Sequence, residues 1–235
     1  MSIILAIETS SELASCALIN GGAVLVRESS GVRTHSQAIL PMVQELLAEA
    51  RITLGQCDAI AFGAGPGSFT GVRTACGIAQ GLAFGAQLPV LPLVTLAMMA
   101  LACHQHSGAT DIVSVLDARM GEVYWAQYRF DGAWQVLCAP ALCAPQAVAP
   151  LPAGGLTACG NGLSAYPEAF GGRDFMAGAL PAILPHAREL AQLAQIDFAA
   201  GAGLPAAQAQ PLYLRNKIAY TSAERLLINA AKAAA

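Results

Sequence analysis

Charge is what this sequence has least of. Only 11% of its 235 residues are Asp, Glu, Lys or Arg, against about 25% in typical soluble domains. No charged residue falls between Arg73 and Asp111. There is no run of Lys or Arg, and the net charge is −3, so this chain alone is not expected to grip nucleic acid tightly through phosphates. None of the seven cysteines forms a CxxC pair, which points to small core residues in a reducing cytoplasm. His104 and His106 are two apart, while His35 and His186 stand alone, so neither helical nor HExxH metal spacing is available. Prolines, glutamines and glycines interrupt the long uncharged stretch, leaving no clean apolar span of about 20 residues, and no membrane segment is expected. The start, MSIILAIE, has no basic region before Glu8 and does not read as a signal peptide. With hydrophobic residues at 55% and so few charges to cover the surface, an apolar patch covered by a partner is expected.

What the chain does have is a dense glycine motif, GPGSFTGVRTACGIAQGLAFG, over Gly65–Gly85. Gly65, Pro66 and Gly67 force a turn after the apolar strand 57–63. Ser68 is a good N-cap for a helix over 69–84 that begins with Phe69, Thr70 and Gly71. Gly77 and Gly81 inside that helix each cost about 1 kcal/mol relative to alanine. Four-residue spacing puts them on one face with Gly85, where a neighbouring backbone can approach closely. That neighbour is either the protein's own sheet or a partner, and the partner is the favoured choice. The loop has no Gly-Lys-Ser/Thr and no GxSxG pattern, so it is neither a phosphate-binding P-loop nor a nucleophile elbow. Its expected role is structural.

Elsewhere the apolar pattern predicts strands at 3–7, 14–19 and 23–28. The last two are joined by the hairpin signal Asn20-Gly21-Gly22. Ile39, Met42, Val43, Leu46, Leu47 and Ala50 then follow helical periodicity. A strand at 89–93 and a helix at 95–103 come next. From Asp111 the order repeats: DIVSVLD, the turn ARMG, EVYWAQYRF, a glycine hairpin and AWQVLC. This predicts a duplicated α/β fold of mixed sheets with helices. The lobes are expected at 1–105 and 106–235, with the option that the last helix packs back on the first lobe. Residues 139–156 read as loop, 156–160 as a strand and 185–200 as a helix. The last twenty residues read as a helix-prone end that frays.

Glu8 and Asp117 end the matching first strands, so both are expected at the cleft between the lobes. The turns after them, TSSE (with Thr9 and Ser10) and ARMG, place no glycine directly behind the acid. A phosphate cradle needs closely approaching amides, so nucleotide hydrolysis is disfavoured.

These pieces together resemble the TsaB (YeaZ) family of tRNA threonylcarbamoyladenosine biosynthesis. The carrying stretches are ILAIETS (4–10), THSQAILPMV (34–43), GPGSFTGVRTACGIAQGLA (65–83), DARMGEVY (117–124), GNG (160–162) and PLYLR (211–215). The resemblance implies a two-lobed fold of the actin, Hsp70 and sugar-kinase type, which is ribonuclease H-like. It implies a non-catalytic scaffold that pairs with TsaD, the catalytic, metal-carrying paralogue, through helices at about 36–50 and 68–85. The implied interface, for the partner or for a homodimer when the partner is absent, includes His35, Ile39, Met42, Val43, Leu46, Arg73, Gly77 and Gly81. TsaE, a small ATPase, would join the pair, TsaC would supply the threonylcarbamoyl-adenylate, and tRNA would be met indirectly. No cofactor or metal is implied for this chain. Glu8 stands where the family usually has Asp, and His35 is followed four residues later by Ile39, so the partner's HxxxH motif has no counterpart. The alternative is a small ATPase or sugar-kinase-like phosphotransferase using Glu8 and Asp117. A metallopeptidase is the third possibility.

Overall fold

A computed structural model describes residues 2–30 and 35–215 of the chain. The expected C-terminal fraying and Thr34 of the THSQ stretch lie outside the described residues. Strands β1 (Ile3–Glu8), β2 (Ala14–Asn20) and β3 (Ala23–Ser29) form an antiparallel meander. Helix α1 (His35–Ala50) leads to β4 (Ala59–Gly65), α2 (Phe69–Ala86) and β5 (Val90–Val94). The first sheet runs β3-β2-β1-β4-β5, with β4 and β5 parallel to β1. After α3 (Thr95–Ser107) the meander returns as β6 (Asp111–Asp117), β7 (Val123–Phe130) and β8 (Trp134–Cys143). The second sheet, β8-β7-β6-β9, adds β9 (Thr157–Cys159) parallel to β6. The duplication read from the sequence is therefore present strand for strand. Two short helices, α4 (Gly162–Ala165) and α5 (Pro167–Phe170), follow, then α6 (Ala187–Ala199). β8 takes in residues 139–143, where the Ala/Pro composition predicts loop, because they pair along β7 back to Val123.

Alternation along β1 sorts its side chains between two cores. Leu5 and Ile7 pack with Phe62, Ile39, Val43, Leu46, Ala75 and Ala79 under α1 and α2. Ile4 and Ala6 pack with Ala61 and Leu91 under α6, through Ala187, Leu190, Ala191 and Ala194. α6 comes from the second half of the chain yet closes the open face of the first sheet. Between the lobes α3 packs on both, Met98 toward the first sheet and Leu96, Met99 and Cys103 toward Ile112, Leu116 and Tyr128.

The α1 stripe needs a correction. Ile39 and Leu46 are 0% exposed, Val43 3% and Met42 7%, so the four pack into this chain's own core and offer no exposed face. The stripe that betrays the helix is the one the helix turns to its own sheet, and one stripe cannot serve two surfaces. Leu40 is the large apolar residue that α1 leaves outside, 46% exposed. Cys16, Cys57, Cys76, Cys103 and Cys159 are buried, and Cys138 and Cys143 half-buried. Burial pushes the Cys16 thiol up to about 12 and, with Asp58 beside it, the Cys57 thiol to about 11.

Candidate functional site

The glycine motif is a latch built against the turn after β1. Ser68 donates its amide to the Ser10 carbonyl at 2.7 Å, and Thr9 Oγ1 donates to the Gly71 carbonyl at 2.7 Å. Ser68 caps α2 by accepting from the Gly71 amide at 3.3 Å. The backbones come so close that a Cβ at Gly71 would lie 1.8 Å from the Thr9 carbonyl oxygen, and one at Gly67 2.5 Å from that of Ser10. Gly65 has φ +107°, open to glycine alone in practice, and precedes a cis peptide to Pro66. Ser10 spends its amide on Glu8, its carbonyl on Ser68 and its hydroxyl on Thr95. Ser10 thus has its polar groups engaged within the chain.

The two strand-end acids do not converge. Asp117 lines a cavity of about 380 Å³ between the lobes, together with Ser10, Ser11, Glu12, Gly67, Ser68 and Phe69. Its carboxylate accepts from the Arg119 amide (2.8 Å) and Tyr166 Oη (3.1 Å) and pairs with the Arg119 guanidinium at 3.0 Å. Glu8 is instead 0% exposed and is not among the residues lining Asp117's cavity. It shares the phase of Ile4 and Ala6, the side of β1 that α6 covers, and that alternation was readable in IILAIE. Oε1 takes the Ser10 amide, while Oε2 is buried without a partner. A Cβ at Gly63 would sit 1.8 Å from Oε2, so the missing side chain there makes room for the carboxyl. Burial raises the Glu8 pKa, opposed in part by hydrogen bonds from Ser10 and by His186.

For an acid raised in the folded state, protonation favours the fold. Its contribution is neutral below the ordinary value near 4.5, turns unfavourable as pH climbs above it, and levels off once pH passes the folded value. Glu8→Gln keeps shape and removes the charge. Its stability advantage over the parent is expected to be near zero at pH 4.5 and to grow toward pH 8, read from denaturant midpoints across pH. A gap that shrinks with pH would reverse the assignment.

Two polar clasps across the cleft were not anticipated. Asn161 accepts from the Asp117 amide at 3.0 Å and donates to Glu12 at 3.3 Å. The segment after α6 straps the first lobe. Leu204 pairs with Val90, the Ala209 carbonyl takes Gln80 at 2.9 Å, and Leu212 donates to the Ala64 carbonyl at 2.7 Å. Arg215 then reaches the second lobe, donating to Glu122 (2.5 Å) and the Arg119 carbonyl (3.3 Å). An arginine closing the alternating PLYLR stretch was the available signal.

Among the described residues nothing covers the outer face of α2. Methyl groups at Gly77, Gly81 and Gly85 would meet no described atom beyond their own helix within 4 Å. Arg73 lies on the same exposed side, and Phe84 is 80% exposed. His35 sits half-buried at the first position of α1, and His186 caps α6 by accepting from the Arg188 amide at 3.1 Å. Among the described residues no three His, Cys, Asp or Glu side chains gather as a metal site, and no helix is long and apolar enough to cross a membrane.

Against known proteins, this chain is 40% identical over 92% of its length to the tRNA threonylcarbamoyladenosine biosynthesis protein TsaB of Escherichia coli, covering 96% of that protein. It belongs to the TsaB family. The Haemophilus influenzae TsaB is 39% identical over 92% of this chain and 95% of its own. The family model for TsaD, tRNA N6-adenosine threonylcarbamoyltransferase, matches residues 24–234. Among solved structures, YeaZ from Pseudomonas aeruginosa superposes with a TM-score of 0.83 at 43% identity, over 91% of this chain and all of that one. A second Pseudomonas aeruginosa structure, described as similar to peptidase YeaZ, gives 0.85 at 43% identity, over 92% of this chain and all of that one.

Proposed function

We propose that this chain is a non-catalytic subunit of tRNA threonylcarbamoyladenosine biosynthesis that acts by docking on a TsaD-type transferase through the outer face of α1 and α2. In this reading TsaE joins the pair, TsaC supplies the activated threonylcarbamoyl group, and the assembly works in the cytoplasm. The observation that carries it is the open stripe Gly77–Gly81–Gly85 beside exposed Phe84. Two interior glycines cost α2 about 2 kcal/mol of helix propensity, and among the described residues nothing packs against them to offset that. A helix packed close against the stripe does so. The phosphotransferase alternative is the weaker reading, since Glu8 is buried apart from Asp117 and the first turn's amide and carbonyl at Ser10 are already engaged.

Gly81→Ala tests the face. The variant is expected to melt at or above the parent temperature, because alanine favours the helix and its methyl meets nothing. Its affinity for the TsaD-type protein of the same cell is expected to fall by about one to two orders of magnitude, from overpacking of a close contact. Titration calorimetry of the two purified proteins measures this. Unchanged affinity for both Gly77→Ala and Gly81→Ala would remove the face from the interface. Unchanged threonylcarbamoyladenosine in tRNA after depletion of this chain would remove the pathway.

A further inference from the structure

We infer that Arg73 is a prearranged fork by which the α2 face receives a carboxylate from a helix of its protein partner. The inference rests on the docking reading above and adds the chemistry and direction of the contact. Arg73, Gly77, Gly81 and Phe84 follow i, i+4, i+8 and i+11, one stripe about 16 Å long. The stripe carries a cation at its N-terminal end and an aromatic ring at the other, with only glycine between them on that line. A partner helix laid along it has one favourable direction, with an acid over Arg73 and an apolar recess for Phe84.

The guanidinium is held ready. Its carbon lies 3.4 Å from the centroid of the Phe69 ring, and Nε donates to Tyr213 Oη at 2.7 Å. Tyr213 comes from the strap after α6 and stacks toward Phe69 at 6.2 Å between ring centroids. Both terminal nitrogens are without a hydrogen bond or ion pair among the described residues. A fixed fork with two free donors matches a carboxylate bidentately and loses little side-chain freedom on binding. Arg73 is the one charged residue of α2. On neighbouring α1, Glu45 and Glu49 are both taken by Arg27, so no acid on either helix competes for the fork.

A phosphate also fits such a fork, and the glycines decide between the two. A stripe that admits a closely packed helix begins one turn from Arg73, whereas a nucleic-acid backbone asks for further cations, and α2 has none.

The test uses the full chain and its TsaD-type partner, with affinities measured at low and high salt. Arg73→Gln and Arg73→Glu are expected to weaken binding by about 30-fold or more with unchanged melting temperature. Arg73→Lys, which keeps charge and loses the fork, is expected to recover only part of this. Tyr213→Phe leaves Arg73 in place and frees its Nε, and is expected to lose about fivefold. In the Arg73→Lys complex, carbodiimide activates a facing carboxyl and the new amine displaces the urea to form an amide. Mass spectrometry should find position 73 joined to an Asp or Glu of a partner helix. If Gly81→Ala loses the partner while Arg73→Glu and Tyr213→Phe bind normally and no cross-link forms, the fork is overturned and the docking face stands. If none of these variants changes affinity, both fall. Loss of tRNA binding by Arg73→Glu at unchanged partner affinity would assign the fork to phosphate and overturn the inference.

Discussion

Gly71→Ala is expected to lower the melting temperature by about 4–8 °C. The new Cβ would fall 1.8 Å from the Thr9 carbonyl oxygen. That oxygen is backbone in a turn tied to α2 by the Thr9–Gly71 and Ser68–Ser10 hydrogen bonds, so it does not swing aside like a side chain. Moving α2 away would break the Thr9–Gly71 and Ser68–Ser10 hydrogen bonds. Overpacking of this kind costs about 3 kcal/mol or more, while the better helix propensity of alanine returns only about 1. At roughly 2–4 °C per kcal/mol for a chain of this size, the first term wins clearly. Calorimetry of Gly71→Ala beside Gly77→Ala makes the comparison internal, since the second site is open. Equal melting temperatures would show that the motif is not the latch described.

The second large effect depends on a partner side chain rather than on backbone. At Gly63 a Cβ would sit 1.8 Å from Glu8 Oε2 and 2.7 Å from its Cδ. A flexible surface carboxylate would move, but this one is fully buried. Gly63→Ala alone is expected to cost about 3 kcal/mol. Glu8→Ala alone leaves a cavity and also destabilises. Together they are expected to be less harmful than their sum by about 2 kcal/mol, because the methyl occupies space the carboxyl has left. Urea midpoints of the four proteins give the coupling, and strict additivity would mean the two groups do not share that space.

Local patterns carried much of the fold. The Asn20-Gly21-Gly22 and Asp131-Gly132 hairpins and the repeated strand–acid–turn order are short-range signals, and the structure follows them. The site was less legible because the same local signal has more than one cause. Helical periodicity in α1 marks whichever side is buried, and Ile39 and Leu46 were assigned to a partner when their own sheet was the answer. In α2 the glycines could face inward or outward, and only the packing of Ala75 and Ala79 beneath β4 shows that they face out. Glu8 was placed by symmetry with Asp117, although its phase with Ile4 and Ala6 argued for the covered side. The Tyr213–Arg73 and Arg215–Glu122 contacts join residues 140 and 93 positions apart, a separation no window of sequence spans.

The position of α6 also bears on how the protein is made. Ile4, Ala6, Ala61 and Leu91 leave the ribosome early, yet their cover, residues 187–199, follows roughly a hundred residues later. Until then that face of the first sheet is covered only in part, by Met98 and Leu101 of α3, so it cannot complete its fold while the rest is being synthesised. Pairing that waits on so distant a segment is slow by its topology, and the nascent chain presents a sticky sheet to chaperones throughout. Once closed, the two halves share one core element, and loss of α6 in either direction of the reaction undoes both together.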